Sequence, residues 1–451
     1  MSFTGLTFLL VFLPITLLLY FVAGVNVRPW VLLCANLFFY ALGQMDFMVI
    51  LCLLTVINTY IAIVLGHLNV KKVRGLLLII GIAGNMCLLA YYKYSGEHLL
   101  PIGLSFYTFK AVSVIVDSYK GKVSIKTPID VMNYLLFFGQ IQSGPISRFE
   151  VEDSFNTREG LSLTNFSKGV EYFLVGFSKK ILIADVLVKI TDEVFASKNL
   201  SVPYTWLGAV CFSLQLYYDF SGYSDMAMGI SNMFGMPCKE NFHYPYATAS
   251  IGEFWRRWHI TLGDWFRDYV YIPLGGSRGK LWCTILNLGI VWLLTGIWHG
   301  NTGGFLLWGM MYFVLITFEK MTGYPQKFKI RLSKIIYRIF ALIMINFLWV
   351  VFYFGHVSAA FNFIRGMLIP SAYNISIDRA RFLFNEYRVF ILAAVVLATP
   401  IVPSAMKWCQ KYRETEICAN IIYGVAMAGL FLLSLSMIVS GGTNPFLYIG
   451  F

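Results

Sequence analysis

The chain has 451 residues, of which 58% are hydrophobic and 13% are charged, and this balance argues against a soluble globular protein. Its formal net charge of +12 lies in small Lys and Arg clusters between apolar runs, not on the single basic face of a nucleic-acid-binding protein. Aromatic residues make up 17%, and Trp and Tyr favour the two edges of a membrane. The composition therefore predicts an all-α polytopic membrane protein.

Apolar runs follow one another along the whole chain. The first run lacks a basic start and a small-residue cleavage site, so we interpret it as a retained span and not as a signal peptide. Of the others, the segments near 101–117, 131–146 and 250–272 carry Gly, Pro or charge, which predicts re-entrant or interfacial helices. We expect about eleven true crossings within one integral-membrane domain, residues 1–451. The runs lie at residues 6–24, 30–43, 46–66, 75–92, 101–117, 131–146, 169–190, 204–233, 281–300, 304–320, 335–355, 387–404 and 416–440.

The basic clusters predict the orientation of the chain in the membrane, and the cysteines bear on metal sites and disulfides. Clusters rich in Lys and Arg stay in the cytoplasm, and counting spans outward from them places both termini outside. The eight cysteines lie mostly inside apolar stretches and never as a CxxC pair, so we expect no metal site and no disulfide framework. The basic clusters comprise Lys71, Lys72 and Arg74, then Lys327, Lys329, Arg331 and Lys334, then Lys407, Lys411 and Arg413.

Two polar interruptions precede the most informative part of the chain. A break after residues 135–138 is typical of an unwound segment that lines a cavity, and its residues are Gly139, Gln140, Ser143, Gly144, Pro145 and Arg148. Further on, Asp219 and Asp225 lie six residues apart in an apolar segment. Here we favour a structural role: hydrogen bonds at a helix break near Gly222, with Arg256 or Arg257 as ionic partners.

Residues 250–272 combine charge with aromatic rings. Ser250 followed by Glu253 fits a capping box, which predicts that a helix starts there and lies along the membrane. On one continuous helix, Trp255, His259, Leu262 and Phe266 share a face, while Arg267 lies near Asp264 and Asp268. The sequence thus predicts an aromatic helix face with one imidazole.

The next segment ends in the sequence Trp-His-Gly. The stretch from Gly275 to Lys280 superficially resembles a phosphate loop, but the first Gly and the final Ser or Thr of such a loop are not in register, so we interpret it as a cationic turn. Residues 281–298 carry no formal charge and are long enough to span a bilayer, ending at His299 and at Gly300, which can end a helix in a left-handed conformation.

His299 and His259 are the candidate functional side chains. A neutral imidazole accepts a hydroxyl proton near neutral pH, so we favour His299 as a general base in a lined cavity. The alternative is an interfacial His within a belt of Trp292, Trp298 and Trp308. His259 either orients a substrate carbonyl or forms a hydrogen bond to a neighbouring helix, and the sequence leaves both possibilities open.

Several motifs together resemble the membrane-bound O-acyltransferases, and most closely their bacterial alginate O-acetyltransferase branch. The resemblance covers nearly the whole chain. The matching motifs are Leu100-Pro-Ile-Gly-Leu-Ser-Phe106, Gly144-Pro-Ile-Ser-Arg-Phe149, Tyr218-Asp-Phe-Ser-Gly-Tyr-Ser-Asp225, Glu253-Phe-Trp-Arg-Arg-Trp-His259, Trp265-Phe-Arg-Asp-Tyr-Val-Tyr-Ile-Pro-Leu-Gly-Gly276, Gly296-Ile-Trp-His-Gly300 and the tail Asn444-Pro-Phe446.

The resemblance implies a multi-helix fold around a tunnel, with His299 as the catalytic residue and His259 as a second polar position. It also implies that Tyr448, in the aromatic tail after Gly441, is a covalent acyl relay and that an extracytoplasmic SGNH-type hydrolase-like protein is the partner. An interfacial aromatic anchor is the alternative for the tail. The similar D-alanyl transfer proteins of teichoic acid synthesis use a carrier protein, which leaves the donor open.

We therefore expect a multi-pass O-acyltransferase of the cell membrane. It would pass an acyl group, preferably acetyl, from a cytoplasmic thioester such as acetyl-CoA or an acyl carrier to an extracytoplasmic polysaccharide, with no bound cofactor or nucleic acid. A cytoplasmic cationic mouth would attract the phosphate-bearing donor. D-alanyl transfer, a polysaccharide or lipid translocator and a scaffold for secreted enzymes are the alternatives. The mouth comprises Arg256, Arg257, Arg267, Arg278 and Lys280.

Overall fold

The structure is a computed structural model that describes residues 1–96, 100–149, 161–370, 374–441 and 444–447. Within these residues the regular structure is entirely helical, with short 3₁₀ and π-helical segments between some helices. The α-helices are α1 Leu13–Val22, α2 Arg28–Gln44, α3 Met48–His67, α4 Lys71–Tyr94, α5 Leu104–Tyr119, α6 Pro128–Leu136, α7 Leu163–Ser178, α8 Asp185–Ala196, α9 Val202–Met233, α10 Ile251–Arg257, α11 Ile260–Phe266, α12 Leu281–His299, α13 Gly303–Thr322, α14 Arg331–Phe354, α15 Val357–Leu368, α16 Asn374–Leu397, α17 Ile401–Cys409 and α18 Arg413–Val439.

Six helical stretches of the described chain are long and apolar enough to cross a membrane. A seventh is possible if α16 and α17, which meet at an angle of 64°, form one broken span. The expected number of about eleven crossings is therefore not confirmed, because apolar helices such as α15 are too short to span a bilayer. The six stretches are Arg28–His67, Lys71–Tyr94, Leu281–His299, Gly303–Thr322, Arg331–Phe354 and Arg413–Val439.

The helices group into two compact units. One contains Met1–Gly176 and Tyr223–Glu240, and the other contains Phe177–Gly222 and Asn241–Leu447. In the first unit, α7 and α9 cross with Gly169 against Gly229. A Cβ on Gly169 would lie 2.7 Å from the Gly229 carbonyl oxygen, and a Cβ on Gly229 would lie 2.6 Å from the Gly169 carbonyl oxygen. A side chain at either position would separate the helices, so this crossing depends on two glycines. The prediction of a single domain stays a prediction.

The helix α9 is continuous from Val202 to Met233, so the predicted break near Gly222 is wrong. A glycine inside a helix costs only about 1 kcal/mol relative to alanine. The neighbouring side chains of Tyr218 and Tyr223 are 1% exposed, and their burial offsets a cost of that size. Tertiary packing therefore overrides the local glycine signal in this helix.

In the second unit, the start of α10 is held by its own N-cap residue and by a carboxylate of a distant helix. Ser250 caps α10 as predicted, because its Oγ accepts a hydrogen bond of 3.1 Å from the Glu253 N–H. The buried carboxylate of Glu319, in α13, accepts hydrogen bonds from the N–H groups of Ile251 and Gly252 at 2.7 and 2.8 Å. The Tyr337 hydroxyl donates to the same carboxylate at 2.9 Å. Glu319 therefore holds α10 against α13 and α14.

We predict that Glu319→Ala destabilises this unit, because it leaves two helix N–H groups and one buried hydroxyl without their acceptor. Hydrogen bonds to charged groups contribute about 1.5–3 kcal/mol each, so the midpoint of thermal unfolding should fall by about 5 °C or more. The measurement is thermal unfolding of the purified protein in detergent. Glu414→Ala, which changes an exposed carboxylate in α18, is the control and should leave the midpoint nearly unchanged. Equal midpoints for the two variants would contradict the anchoring role of Glu319.

Candidate active site

His299 is the last residue of α12, and the turn that follows it is held by α14. Gly300 has φ 173°, which is extended backbone, so the predicted left-handed end of this helix is wrong. The reason lies in the next few residues: the Thr302 hydroxyl and the Gly304 N–H both donate to the carbonyl oxygen of Gly355, just after α14. These bonds set the direction of the chain, so Gly300 has no need to reverse it.

Aromatic rings enclose the His299 side chain, which is 6% exposed. The ring centroids of Trp298, Trp308 and Phe352 lie 4.5, 4.9 and 5.0 Å from that of His299. Trp292, the third member of the predicted belt, contacts Trp308 at 6.2 Å. His299 is therefore inside an aromatic cluster of the protein, where little water can compete for its ring nitrogens.

Close packing of α12 against α13 creates this enclosure. A Cβ at Gly296 would lie 2.8 Å from the Phe305 carbonyl oxygen, and one at Gly309 would lie 2.6 Å from that of Trp292. Only glycine at both positions lets the two backbones approach so closely. The approach brings Trp308 of α13 onto the His299 ring.

His259 lies between α10 and α11, so the single continuous helix predicted over this region is wrong. Trp258 is extended, with φ −108° and ψ 127°, and His259 is left-handed, with φ 46° and ψ 52°. Trp255 and His259 therefore do not share one helix face with Leu262 and Phe266. The interruption reorients the imidazole relative to α10.

Asn241 stabilises this left-handed turn. Its Oδ1 accepts hydrogen bonds from the Thr261 N–H at 3.1 Å and the Thr261 hydroxyl at 2.9 Å, and its carbonyl accepts the Ile260 N–H at 2.9 Å. His259 Nδ1 lies 3.1 Å from the same Oδ1. An N–H can only donate, so the bond from Thr261 identifies Oδ1 as an acceptor and His259 Nδ1 as the protonated nitrogen.

The His259 ring is neutral. It lies outside the candidate spans, and burial lowers its pKa to about 3, because the charged form would lose its hydration. With the proton on Nδ1, Nε2 carries a lone pair and accepts hydrogen bonds. The hydrogen bond to Asn241 links His259 to the chain between α9 and α10 and not to a neighbouring helix, the partner in the second of its two expected roles.

Both histidines belong to one continuous aromatic cluster. Phe220 and Phe242 contact the His259 ring at 4.8 and 6.4 Å. From there, contacts between ring centroids lead to His299. They are Phe242 to Trp258 at 5.1 Å, Trp258 to Trp349 at 4.8 Å, Trp349 to Trp308 at 6.0 Å and Trp308 to His299 at 4.9 Å.

The predicted donor-binding cations divide into two groups. Arg257 pairs with Glu253 at 2.6 Å, and Arg267 pairs with Asp264 at 2.6 Å, the latter as expected from their spacing. The other three, Arg256, Arg278 and Lys280, are exposed. Arg267 is exposed as well, so four of the five cations are accessible to solvent, while Arg257 and Arg267 are held against carboxylates of their own segment.

Asp219 has a partner that was not predicted. Its Oδ1 lies 2.7 Å from the Nζ of Lys180, which also pairs with Asp185, so the expected pairing of Asp219 with Arg256 or Arg257 is wrong. Lys180 and Asp185 are two of the five charged residues inside the apolar run 169–190, and charges in such a run are a signal for functional or paired groups. Tyr448 lies outside the described residues.

The first unit contains a small open cleft with a cavity volume of about 40 Å³. Gln140 and Arg148 line it, as expected for a polar break around a cavity, together with Lys110, which is 1% exposed. The Lys110 Nζ donates to Gln140 Oε1 at 3.1 Å and lies 4.5 Å from the centroid of the Tyr134 ring. In the described part of the chain, no group of three or more His, Cys, Asp or Glu side chains could hold a metal ion.

Comparisons with known proteins agree on one family. The sequence model of MBOAT, the membrane-bound O-acyltransferase family, matches residues 16–358. The chain is 36% identical to the probable alginate O-acetylase AlgI of Pseudomonas aeruginosa over 424 residues, which cover 88% of this chain and 81% of that protein.

The chain is also similar, at lower identity or coverage, to proteins named for other acceptors. The chain is 28% identical to a peptidoglycan O-acetyltransferase of Helicobacter pylori, covering 98% of this chain and 96% of that protein. It is 30% identical to a teichoic acid D-alanyltransferase of Bacillus subtilis, covering 49% and 60%. The family match covers most of the chain, and the apolar helices fit it. The chain therefore belongs to the membrane-bound O-acyltransferase family and is a multi-pass membrane O-acyltransferase.

Proposed function

We propose that the protein passes an acetyl group from a cytoplasmic thioester across the cell membrane for O-acetylation of an extracytoplasmic polysaccharide. The observation that carries this proposal is the enclosed position of His299. It occurs in a chain whose sequence is similar, over 88% of its length, to a probable alginate O-acetylase. The similarity to D-alanyltransferases covers about half of the chain, which favours acetyl over D-alanyl as the transferred group.

His299 acts as the general base in this mechanism. Its imidazole accepts the proton of an attacking hydroxyl while the new C–O bond forms and the thioester C–S bond breaks, and the leaving thiolate then takes up a proton. The surrounding Trp and Phe rings exclude water, which would otherwise hydrolyse the acyl group.

His259 positions the donor in the same proposal. Because its Nε2 is an acceptor, it suits an N–H or O–H group better than a carbonyl oxygen. Amide N–H groups are present in the pantetheine arm of coenzyme A and of acyl carriers. His259 therefore fits either source of the thioester.

Tyr448 is the proposed acyl acceptor within the chain. Its phenol would take the acetyl group as an aryl ester, which is a good donor to an extracytoplasmic SGNH-type partner. Phe446, two residues before Tyr448, is 4% exposed, so its ring is packed into the protein. Such a relay would carry the acyl group through a tunnel that a polymer cannot enter.

We predict that His299→Ala abolishes polymer acetylation while the protein still inserts and folds. A positioned general base contributes about 10²–10⁴-fold to the rate, so ester content should fall by about 100-fold or more at matched protein level. His356→Ala is the control, because it removes an exposed imidazole at the start of α15. Wild-type ester content in His299→Ala would exclude His299 as the base.

We predict that the exposed cations form a cytoplasmic donor site. Replacing Arg256, Arg278 and Lys280 by Gln should weaken donor use, and more at low than at high salt, because screening reduces attraction between exposed charges. The control replaces the exposed Lys407 and Lys411, which lowers net charge elsewhere.

The orientation of this site has its own measurement. Cysteines placed at Arg278 or Lys280, in a chain without its native cysteines, should react with an impermeant maleimide only after the cells are opened. Labelling from outside intact cells would show that the site faces away from a cytoplasmic donor.

We predict that Tyr448→Phe abolishes polymer acetylation, because this change keeps the apolar ring and removes only the hydroxyl that carries the acyl group. With the SGNH-type partner deleted, mass spectrometry of the wild-type C-terminal peptide should show acetylated Tyr448. Full acetylation by Tyr448→Phe would instead indicate direct transfer from the thioester, with the tail as an interfacial anchor.

A further inference from the structure

Three buried charges in the second unit meet the C-terminal tail. Lys180 lies in the π-helical segment Lys179–Ala184, Asp185 begins α8 and Asp219 lies in α9. The Lys180 Nζ is 2.7 Å from Asp219 Oδ1 and 2.8 Å from Asp185 Oδ1. The three side chains are between 0% and 3% exposed. Such charges are stable in a protein interior only when the remaining polar atoms also find partners.

The cluster contains one cation and two anions, so it needs further positive partners. The tail supplies them: the Leu447 N–H donates to Asp219 Oδ2 at 2.8 Å, and the Asn444 N–H donates to Asp185 Oδ2 at 3.4 Å. In turn, the Pro445 carbonyl accepts a hydrogen bond of 3.2 Å from Lys180 Nζ. Each of the three charged side chains therefore has one contact to the tail backbone.

The tail sequence fits these contacts. Asn444 and Leu447 have the N–H groups that the carboxylates require, whereas Pro445 has none and contributes only its carbonyl. Phe446 lies between them with its ring centroid 4.7 Å from Lys180 Nζ, within the range of a cation–π contact. The cluster thus recognises the backbone of residues 444–447 and one aromatic ring.

We propose that Lys180, Asp185 and Asp219 form a tail clamp, a binding site for the chain's own segment Asn444-Pro-Phe-Leu447. They are positioning residues: they fix the backbone that leads into Tyr448, whose Cα follows that of Leu447 by about 3.8 Å. The consequence for catalysis rests on the proposed relay through Tyr448, but the clamp itself does not depend on it.

The sharpest test leaves the three charges untouched. Leu447→Pro removes the N–H that donates to Asp219, and Leu447→Ala is the matched control, because it shortens the same side chain and keeps the N–H. Hydrogen–deuterium exchange of the full-length protein in nanodiscs measures the amides of the C-terminal peptide. We expect exchange about tenfold faster or more in Leu447→Pro than in Leu447→Ala. Equal exchange in the two variants would overturn the clamp.

A second pair of variants tests the charges themselves. Lys180→Met removes the Nζ that pairs with both carboxylates and donates to the Pro445 carbonyl. Glu193→Gln is the control, because it changes a carboxylate of α8 that pairs with Arg379. Tail exchange should accelerate in Lys180→Met and stay unchanged in Glu193→Gln. Because Lys180→Met leaves two carboxylates buried together, exchange in α9 is measured in the same experiment to separate loss of the tail from loss of the fold.

Polymer acetylation distinguishes the clamp from the relay. If both hold, Leu447→Pro exchanges its tail amides faster than Leu447→Ala and also acetylates less polymer than Leu447→Ala does. Faster exchange with normal acetylation would leave the clamp standing and remove the relay. Normal exchange with lost acetylation would remove the clamp and leave a direct role for the tail in transfer.

Discussion

Polar groups buried in this protein must find partners within it, because lipid offers no hydrogen bonds. The second unit meets this constraint with contacts between segments that are distant in sequence. Glu319 binds the first N–H groups of α10, Asn241 binds the turn at His259, and Lys180 joins Asp185 to Asp219. Each contact satisfies polar atoms and at the same time fixes a segment that the proposed chemistry needs.

The aromatic content of the chain has a related explanation. Trp and Tyr were expected at the membrane edges, yet Trp258, Trp308 and Trp349 are fully buried. Their rings pack against one another, Trp258 on Trp349 and Trp349 on Trp308, and Trp308 forms part of the apolar wall around His299. His299 is 6% exposed in these surroundings, so few water molecules compete for its ring nitrogens.

Local interactions were predictable from the sequence, and distant ones were not. The Ser250 cap and the pair of Arg267 with Asp264 involve residues three apart, and both are present in the structure. The charge-free span ending at His299 also follows from local composition. These features depend on helix geometry, which a sequence carries in its spacing.

The turn at His259, the extended Gly300 and the partner of Asp219 depend on groups that are not neighbours in sequence. The acceptor at Asn241 lies 18 residues before His259, the acceptor at Gly355 lies 53 residues after Thr302, and Lys180 lies 39 residues before Asp219. No periodicity encodes such pairs. The sequence signal for such a pair is a charged residue inside an apolar run, and Lys180 and Asp185 are residues of this kind.

The energetics of the buried charges explain why an apolar cluster would not serve at the tail. Replacing a buried ion pair by well-packed hydrophobic side chains is often neutral or stabilising, so stability alone does not account for Lys180, Asp185 and Asp219. Hydrophobic side chains, however, could neither accept a hydrogen bond from the Leu447 N–H nor donate one to the Pro445 carbonyl. Those two backbone groups would then lose their partners in the protein, and the tail would bind in no particular register. Charged side chains at this place therefore give the tail a defined position, which is the property that an acyl relay following Leu447 requires.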